Sequence, residues 1–257
     1  MINRANISWG LRNPALLLVL LRRLFPWKAM RYDPECAHLV KSWGSGKLPR
    51  KSLQEIFPGV EAVDLELRAP YRRVVGTATD LQELTCLLAV MKLLRARKVL
   101  EVGTNDGFTT LNLAANLSHD PDAFVTTVDL SPDLAAQPAK HLSAACKPSL
   151  IGSTFMGEPE AKRIRQVFGD STKLDWKTLG GPFDLIFIDG GHDFDCVKSD
   201  TENAFKNLAP GGAIFWHDYG FILDVSQALD AATAPGPLFA LLGTRLAVFS
   251  DGARQRT

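Results

Sequence analysis

From Asp80 onward the chain alternates apolar runs with stretches of helical periodicity. Apolar residues recur three and four positions apart at Leu81, Leu84, Leu87, Leu88, Met91 and Leu94, a spacing that predicts an amphipathic helix. Further apolar runs typical of buried strands follow at 98–103, 124–129, 164–168, 184–189, 212–217 and 245–250. Helical stretches separate most of them, so the pattern predicts an α/β fold with a largely parallel sheet and helices on both faces.

Residues 1–79 differ from this regular part and are predicted to form an N-terminal extension of a domain at 80–257. The extension is punctuated by glycine and proline between Lys41 and Thr79. We therefore expect it to be irregular there and to cover part of the domain's pocket. The remainder of that pocket is expected from residues 151–163 and from the loop after Tyr219.

The start of the extension, residues 1–31, carries six basic residues and no acidic one around the apolar run Ala15–Leu21. That run is too short to span a bilayer, which takes about 20 apolar residues. One interpretation is a helix packed on the domain or on a second subunit, as in a homo-oligomer. Another is a helix lying on an anionic membrane surface. A targeting segment is a third, although no small-residue cleavage site follows.

Composition limits the function classes. The chain has 257 residues, 46% hydrophobic content and a formal net charge of +1, as expected of a globular protein with one substantial core. Near-neutral charge gives no general attraction to nucleic acid, so we expect no nucleic-acid partner. The four cysteines form no CxxC pair, which argues against a disulfide framework or a zinc knuckle and favours the cytoplasm, with membrane association if the N-terminus binds a surface.

The first predicted strand of the regular part runs into the turn Gly103-Thr104-Asn105-Asp106-Gly107. Glycine lets backbone N–H groups approach a ligand, and the helix that follows offers its N-terminal donors to an anion such as a carboxylate. Asn105 and Phe108 replace two glycines of the dinucleotide fingerprint, which disfavours NAD. Glu101, just before the turn, suits an ammonium group, or is a solvated acid at a strand end.

Acidic residues also follow later strands. Asp129 ends the second strand at a position suited to ribose hydroxyls, and Asp170-Ser171 ends the third and is suited to border a purine. Asp189 and His192 follow the fourth, whereas His217 and Asp218 follow the fifth. Neighbouring strands lie about 4.8 Å apart, so Asp189 and Asp218 are expected to converge on one cation.

These motifs together resemble the class I S-adenosylmethionine-dependent methyltransferases. The resemblance rests on VLEVGTNDGFTT, VTTVDLS, VFGDS, FDLIFIDGGH and LAPGGAIFWHDY in this order, and covers about Thr79 to Ser250. It implies a doubly wound, mostly parallel, seven-stranded Rossmann-like sheet with an antiparallel last strand. The IDGGH and HDY segments are most similar to small-molecule O-methyltransferases, including the metal-dependent catechol and macrolide-sugar types.

The resemblance implies a role for each matching residue. The cofactor S-adenosylmethionine is expected to bind Glu101, Gly103, Thr104, Asn105, Gly107, Thr109, Asp129, Leu130, Asp170, Ser171 and Asp189. Catalysis is expected from His192, as general base, and from Asp189. A divalent cation, Mg²⁺ or Mn²⁺, is expected on Asp189, His217 and Asp218, although macrolide-sugar enzymes carry an acid where this chain has His217. The alternative for His192 is a loop histidine that caps the helix beginning near Asp193.

The predicted activity is methyl transfer to a hydroxyl of a small molecule or sugar. Amino-methylating DNA enzymes of this fold carry an Asn/Asp-Pro-Pro-aromatic turn, where this chain has Asp189-Gly190-Gly191-His192; this argues against a nucleic-acid base as acceptor. The alternative from another class is a non-catalytic scaffold that binds the cofactor or a membrane surface.

Overall fold

The computed structural model describes residues 45–68, 79–135 and 150–252. Its helices are α1 (Leu53–Ile56), α2 (Leu81–Leu93), α3 (Phe108–Ala115), α4 (Pro132–Ala135), α5 (Phe194–Asn207) and α6 (Leu223–Asp230). Its strands are β1 (Arg50–Lys51), β2 (Lys98–Val102), β3 (Phe124–Asp129), β4 (Ile164–Phe168), β5 (Phe183–Ile188), β6 (Leu208–Trp216), β7 (Leu238–Leu241) and β8 (Ala247–Ser250). Short 3₁₀ turns occupy Val60–Ala62, Pro159–Arg163 and Trp176–Leu179.

The strands form one sheet in the order β1-β7-β8-β6-β5-β2-β3-β4. Strands β6, β5, β2, β3 and β4 run parallel to one another, whereas β8 is antiparallel to both β6 and β7. The α/β fold, the parallel sheet and the antiparallel last strand are therefore confirmed.

The sheet has eight strands rather than the expected seven. The additional one is β1, which pairs parallel with β7 through Arg50 and Lys51. It comes from the segment assigned to the extension, and two basic residues carry no periodicity from which a strand could be predicted. Strand β7 was not among the predicted apolar runs either, because four apolar residues are too few to distinguish a strand from a helix by periodicity.

Alternating side chains of the central strands pack on two separate cores. Val99, Leu185 and Phe215 lie on the face covered by α2 and α3, whereas Leu100 and Ile186 lie on the face covered by α5 and α6. Burial on both faces explains why these strands are apolar almost throughout. It also leaves the ends of the strands as the places where polar side chains can gather.

Residues 45–48 are fastened to the loop that follows β6. The Tyr219 hydroxyl accepts a hydrogen bond from the Leu48 backbone N–H at 2.8 Å and donates one to Asp230 at 2.6 Å.

The predictions for residues 1–31 lie outside the described residues. None of the described helices is long and apolar enough to cross a membrane.

Candidate active site

The predicted site residues lie in a row along the carboxyl edge of five adjacent strands. The parallel registers align Ile188 of β5 with both Val102 of β2 and Trp216 of β6. The site residues that follow these three positions therefore lie side by side. The row continues through Asp129, the last residue of β3. Such an edge is where open α/β sheets bind ligands.

The glycine turn begins in close contact with the end of β5. Gly103 has a φ of +99°, and a Cβ there would lie 2.1 Å from the carbonyl oxygen of Asp189. The Asp189 N–H in turn donates to the Val102 carbonyl at 2.8 Å. Only glycine allows the turn to pass this close to the neighbouring strand end.

Asn105 and Asp129 bridge the turn to the end of β3. Asn105 adopts a left-handed φ of +50°, which asparagine tolerates better than most residues, so its place at a usual glycine position is understandable. Its N–H donates to Asp129 Oδ2 at 2.8 Å, and the Leu130 N–H donates to Oδ1 at 2.7 Å. Burial raises the pKa of Asp129 despite these hydrogen bonds.

A segment after β3 supports the same turn from behind. The Gly152 and Thr154 N–H groups donate to the carbonyls of Asn105 and Asp106, each at 2.8 Å. The Phe155 ring lies against Gly107, where an added Cβ would meet it at 2.6 Å. Residues 152–155, expected to line the acceptor pocket, thus hold the glycine turn in shape.

Glu101 is fully buried, so the interpretation as a solvated acid is wrong. Its Oε2 accepts hydrogen bonds from the hydroxyls of Thr110 and Thr127, and Thr104 in turn contacts the Thr127 hydroxyl at 2.7 Å. Oε1 has no hydrogen-bond partner among the described residues. Burial, only partly offset by the two threonines, raises the pKa of Glu101 to about 8.

At the end of β4, Asp170 and Ser171 are held by local contacts. Asp170 accepts hydrogen bonds from the Thr172 N–H and hydroxyl and pairs with Lys173 at 2.7 Å. The Ser171 hydroxyl donates to Asp200 of α5 at 3.0 Å. Asp200 is fully buried, and burial raises its pKa to about 7, with Ser171 opposing the shift.

His192 stands between two carboxylates from neighbouring strand ends. Its Nε2 lies 3.5 Å from Asp189 Oδ1 and 3.3 Å from Asp218 Oδ2. Burial opposes a charged imidazole, but the two carboxylates outweigh it and raise the pKa of His192 to about 9. The helix-capping alternative is wrong, because Asp193 caps α5 by accepting from the Cys196 N–H at 3.1 Å.

His217 lies deeper, between Asp189 and an acid that the sequence did not single out. Its Nδ1 is 3.0 Å from Asp189 Oδ1, and its Nε2 is 3.0 Å from Glu83 Oε2 in the first turn of α2. Burial disfavours the imidazolium, yet Asp189 and Asp218 raise the pKa of His217 well above its ordinary value. The surrounding carboxylates therefore favour the charged form of His217.

Arg245, in the turn between β7 and β8, completes the charged cluster. Its guanidinium bonds Glu83 through Nε and Nη2, at 3.1 and 2.9 Å, and Asp218 through Nη1 at 2.8 Å. Burial would raise the pKa of Glu83, but His217 and Arg245 lower it to about 2. Three carboxylates thus face one arginine and two histidines.

The group of described residues that could hold a cation differs in one member from the expected set. Asp189, His192 and Asp218 each offer one ligand atom, and these atoms all lie within 4.8 Å of one another. The predicted set named His217 instead of His192. His217 is directed to Glu83, a contact that could not be foreseen from the spacing of strand ends.

Several residues that shape the site were missed at the sequence level. Glu83 carried one signal, the Asp80-x-x-Glu83 pattern of a capping box, and the structure shows that box. The pattern indicates a helix start and says nothing of His217. Arg245 belongs to no motif, whereas Thr110 and Thr127 lie inside the segments VLEVGTNDGFTT and VTTVDLS without an assigned role.

Comparison with known proteins gives the same family. Residues 100–219 match the family model described as a methyltransferase domain. A curated catechol O-methyltransferase of Mycobacterium tuberculosis (strain ATCC 25618 / H37Rv) is 35% identical over 159 residues, which is 58% of this chain. This chain spans 60% of the length of that relative.

Solved structures share the fold. The O-methyltransferase from Bacillus cereus, in complex with SAH, superposes with a TM-score of 0.50 and 19% identity over 76% of this chain and 89% of its own. The SAH-bound Podospora anserina methyltransferase PaMTH1 gives a TM-score of 0.50 and 16% identity, over 82% and 86%. Residues 100–219 thus match a methyltransferase domain, and the sheet and these structures agree with the fold that the resemblance to class I S-adenosylmethionine-dependent methyltransferases implies.

Proposed function

We propose that the protein transfers a methyl group from S-adenosylmethionine to a hydroxyl of a small molecule. The observation that carries the proposal is the His192 imidazole, which lies within 3.5 Å of two strand-end carboxylates beside the glycine turn. The similarity to a catechol O-methyltransferase and to O-methyltransferases crystallised with SAH supports the same chemistry.

The residues at the glycine turn fit the cofactor. Glu101 Oε1 is buried without a hydrogen-bond partner among the described residues, and a buried carboxylate oxygen is stabilised by an ammonium donor such as that of the methionine moiety. Gly103, which lacks a side chain, lets the turn lie against the Asp189 carbonyl. Asp129, held by two backbone N–H groups, retains lone pairs for ribose hydroxyls. Asp170 and Ser171 are proposed to border adenine, and Leu130 and Thr109 to line the site.

The bound cofactor supplies an electrophilic methyl group on a sulfonium. The protein must place a hydroxyl oxygen in line with that methyl carbon, and such positioning accounts for much of the acceleration. It must also remove the hydroxyl proton. We assign this step to His192 Nε2, which is free of hydrogen bonds of good geometry among the described residues and stands at the edge where the acceptor would enter.

The two carboxylates act on this base in opposite directions. They orient the imidazole and stabilise the imidazolium formed by proton transfer, yet with a pKa of about 9 only about one molecule in a hundred holds His192 unprotonated at pH 7. Asp189 is proposed to position His192 and to lie beside the reactive end of the cofactor.

Metal assistance stays a prediction. Asp189, His192 and Asp218 have the donor types and proximity to hold a divalent cation, which would lower the pKa of the acceptor hydroxyl. However, Arg245 already binds Asp218 Oδ1, and His192 Nε2 cannot be both ligand and base. We therefore derive no step from a metal and distinguish the two arrangements by experiment.

The test is conversion of S-adenosylmethionine to S-adenosylhomocysteine by the full chain over a panel of catechols, other phenols, sugars and polyketide alcohols. Each acceptor is assayed with Mg²⁺, with Mn²⁺ and in excess EDTA. Acceptor-dependent turnover supports the proposal, and full turnover in EDTA would exclude the metal while leaving His192 as base. Protein that binds SAH tightly yet turns over no acceptor would favour a non-catalytic scaffold.

A further inference from the structure

Glu83 and Arg245 lie outside every predicted site motif, yet ion pairs connect them, through His217 and Asp218, to the surroundings of the proposed base His192. They come from distant elements, α2 and the β7–β8 turn, and Glu83 accepts both the Arg245 backbone N–H at 2.8 Å and its guanidinium. Glu83 is almost completely buried. Burying charged groups costs desolvation energy, so a buried ion pair adds little stability unless its geometry is well satisfied. We therefore look for a functional role of these contacts.

Glu83 fixes the ring of His217. With Nε2 directed to Glu83 at 3.0 Å, Nδ1 is directed to Asp189 at 3.0 Å, so one imidazole links the first turn of α2 to the carboxylate beside His192. The Phe187 ring lies edge-on to the imidazole, with centroids 6.2 Å apart. The orientation of the His217 ring thus depends on Glu83.

Arg245 fixes the carboxylate of Asp218. Nη1 takes Oδ1 at 2.8 Å and leaves Oδ2 3.3 Å from His192 Nε2. Asp218 has a left-handed φ of +59°, a conformation that costs energy for a residue with a Cβ. The Tyr219 N–H, which donates to the Arg245 carbonyl at 2.8 Å, helps to hold this turn.

We propose that Glu83 and Arg245 are positioning residues for methyl transfer: they hold His217 and Asp218 so that the carboxylates of Asp189 and Asp218 flank His192. This inference rests on the proposed function and deepens it. The two residues act through their neighbours, so their loss should reduce kcat with little change in cofactor affinity.

The experiment compares Glu83→Gln and Arg245→Gln with two matched controls. Glu55→Gln removes the capping-box acid of α1, as Glu83→Gln removes that of α2, but Glu55 does not contact the site. Arg97→Gln removes a guanidinium that pairs with Asp120 at 2.8 Å, just before the amino end of β2. We expect the site variants to lose roughly 10–100-fold in kcat, the scale of a small misplacement of reacting groups.

The same variants should keep their SAH dissociation constant within about threefold, and both controls should retain wild-type kcat. Arg245→Lys, which keeps the charge but loses the fork, should fall between Arg245→Gln and wild type. If a single variant fails to fold because a buried charge is left unpaired, the double variant Glu83→Gln/Arg245→Gln removes both charges and takes its place.

A second readout does not need turnover. In ¹⁵N-histidine-labelled protein, the ring signals of His192 and His217, identified by His192→Gln and His217→Gln, should shift in both site variants and in neither control. Wild-type kcat in the site variants, or an equal kcat loss in Arg97→Gln, overturns the inference. If wild type turns over no acceptor, the proposed function fails, and unmoved ring signals then overturn the inference independently.

Discussion

Gly103 and Asp189 approach each other so closely that a methyl group on Gly103 would overlap the Asp189 carbonyl oxygen. This contact joins the turn proposed to bind the cofactor to the residues proposed for catalysis, because Asp189 also faces His192 and His217. Backbone atoms on both sides leave no flexible side chain to move away. The distance between the glycine turn and the end of β5 therefore depends on the absence of a side chain at Gly103.

Gly103→Ala should accordingly weaken SAH binding and lower the melting temperature. The variant suffers both a positive φ and a backbone overlap. Gly157→Ala is the control, because Gly157 also has a positive φ, of +86°, but open space where its Cβ would lie; we expect it to lose only about 1–2 kcal/mol. Calorimetry with SAH and thermal unfolding measure both effects, and equal losses in the two variants would show that backbone strain alone matters.

Asp129→Ala should weaken SAH binding by about 1–3 kcal/mol, because ribose hydroxyls would lose their acceptor. Asp129 also holds the Asn105 N–H, so Asp129→Asn, which keeps one carbonyl acceptor, separates the two roles. Calorimetry should place Asp129→Asn between alanine and wild type. Unchanged affinity in Asp129→Ala would remove the ribose assignment.

The convergence of acids at the strand ends was predictable because it depends on two general properties. Apolar runs predict parallel strands, and parallel strands bring their carboxyl ends to one edge. Asp129, Asp189 and Asp218 therefore lie along one edge of the sheet, and Asp189 and Asp218, from adjacent strands, both flank His192. The environment of Glu101 could not be predicted, since it depends on hydrogen bonds from Thr110 and Thr127, and the motifs that contain these two residues assign them no role.

The charged cluster behind the site was unpredictable for a related reason. Glu83 and Arg245 meet although 162 positions separate them, and a periodicity analysis ranks helix and strand faces rather than pairs of distant charges. The two-residue strand β1 also escaped detection, because its position is set by pairing with β7.

His192→Ala should lower kcat by roughly 10²–10⁴-fold, the usual contribution of a general base. SAH affinity should stay close to wild type. Part of the loss should be recovered at high pH, because the acceptor hydroxyl then ionises without help. Steady-state kinetics from pH 7 to 10 measure this, and a variant with wild-type kcat would leave positioning as the mechanism.

Cofactor binding should release protons from Glu101. The pKa of this carboxyl is about 8 in the free protein, so it is mostly protonated at pH 7, and an ammonium group beside Oε1 would favour the ionised form. We therefore expect SAH affinity to rise between pH 6 and 8 and binding at pH 7 to release up to about one proton. Calorimetry in buffers of different ionisation enthalpy counts the protons.

Glu101→Gln provides the check on that assignment. Glutamine keeps an acceptor for Thr110 and Thr127 but cannot ionise, so both the pH dependence and the proton release should largely disappear. Proton release equal to that of wild type would place the titrating group elsewhere.

The buried Asp200 should make stability fall as the pH rises. Its pKa is about 7 in the folded protein and about 3.9 in an unfolded chain. Between these values the folded state binds the extra proton, so the unfolding free energy decreases with pH and levels off above pH 7. Asp200→Asn lacks this carboxyl and keeps an acceptor for Ser171. Relative to wild type, the unfolding free energy of Asp200→Asn should gain on the order of 2–4 kcal/mol between pH 5 and pH 8.

Ser171→Ala, which removes the hydrogen bond that favours the ionised form of Asp200, should make the unfolding free energy decline more steeply with pH than in wild type. Urea unfolding at both pH values measures these differences. If Asp200→Asn declines as steeply as wild type, another buried acid, with Glu101 the first candidate, causes the pH dependence.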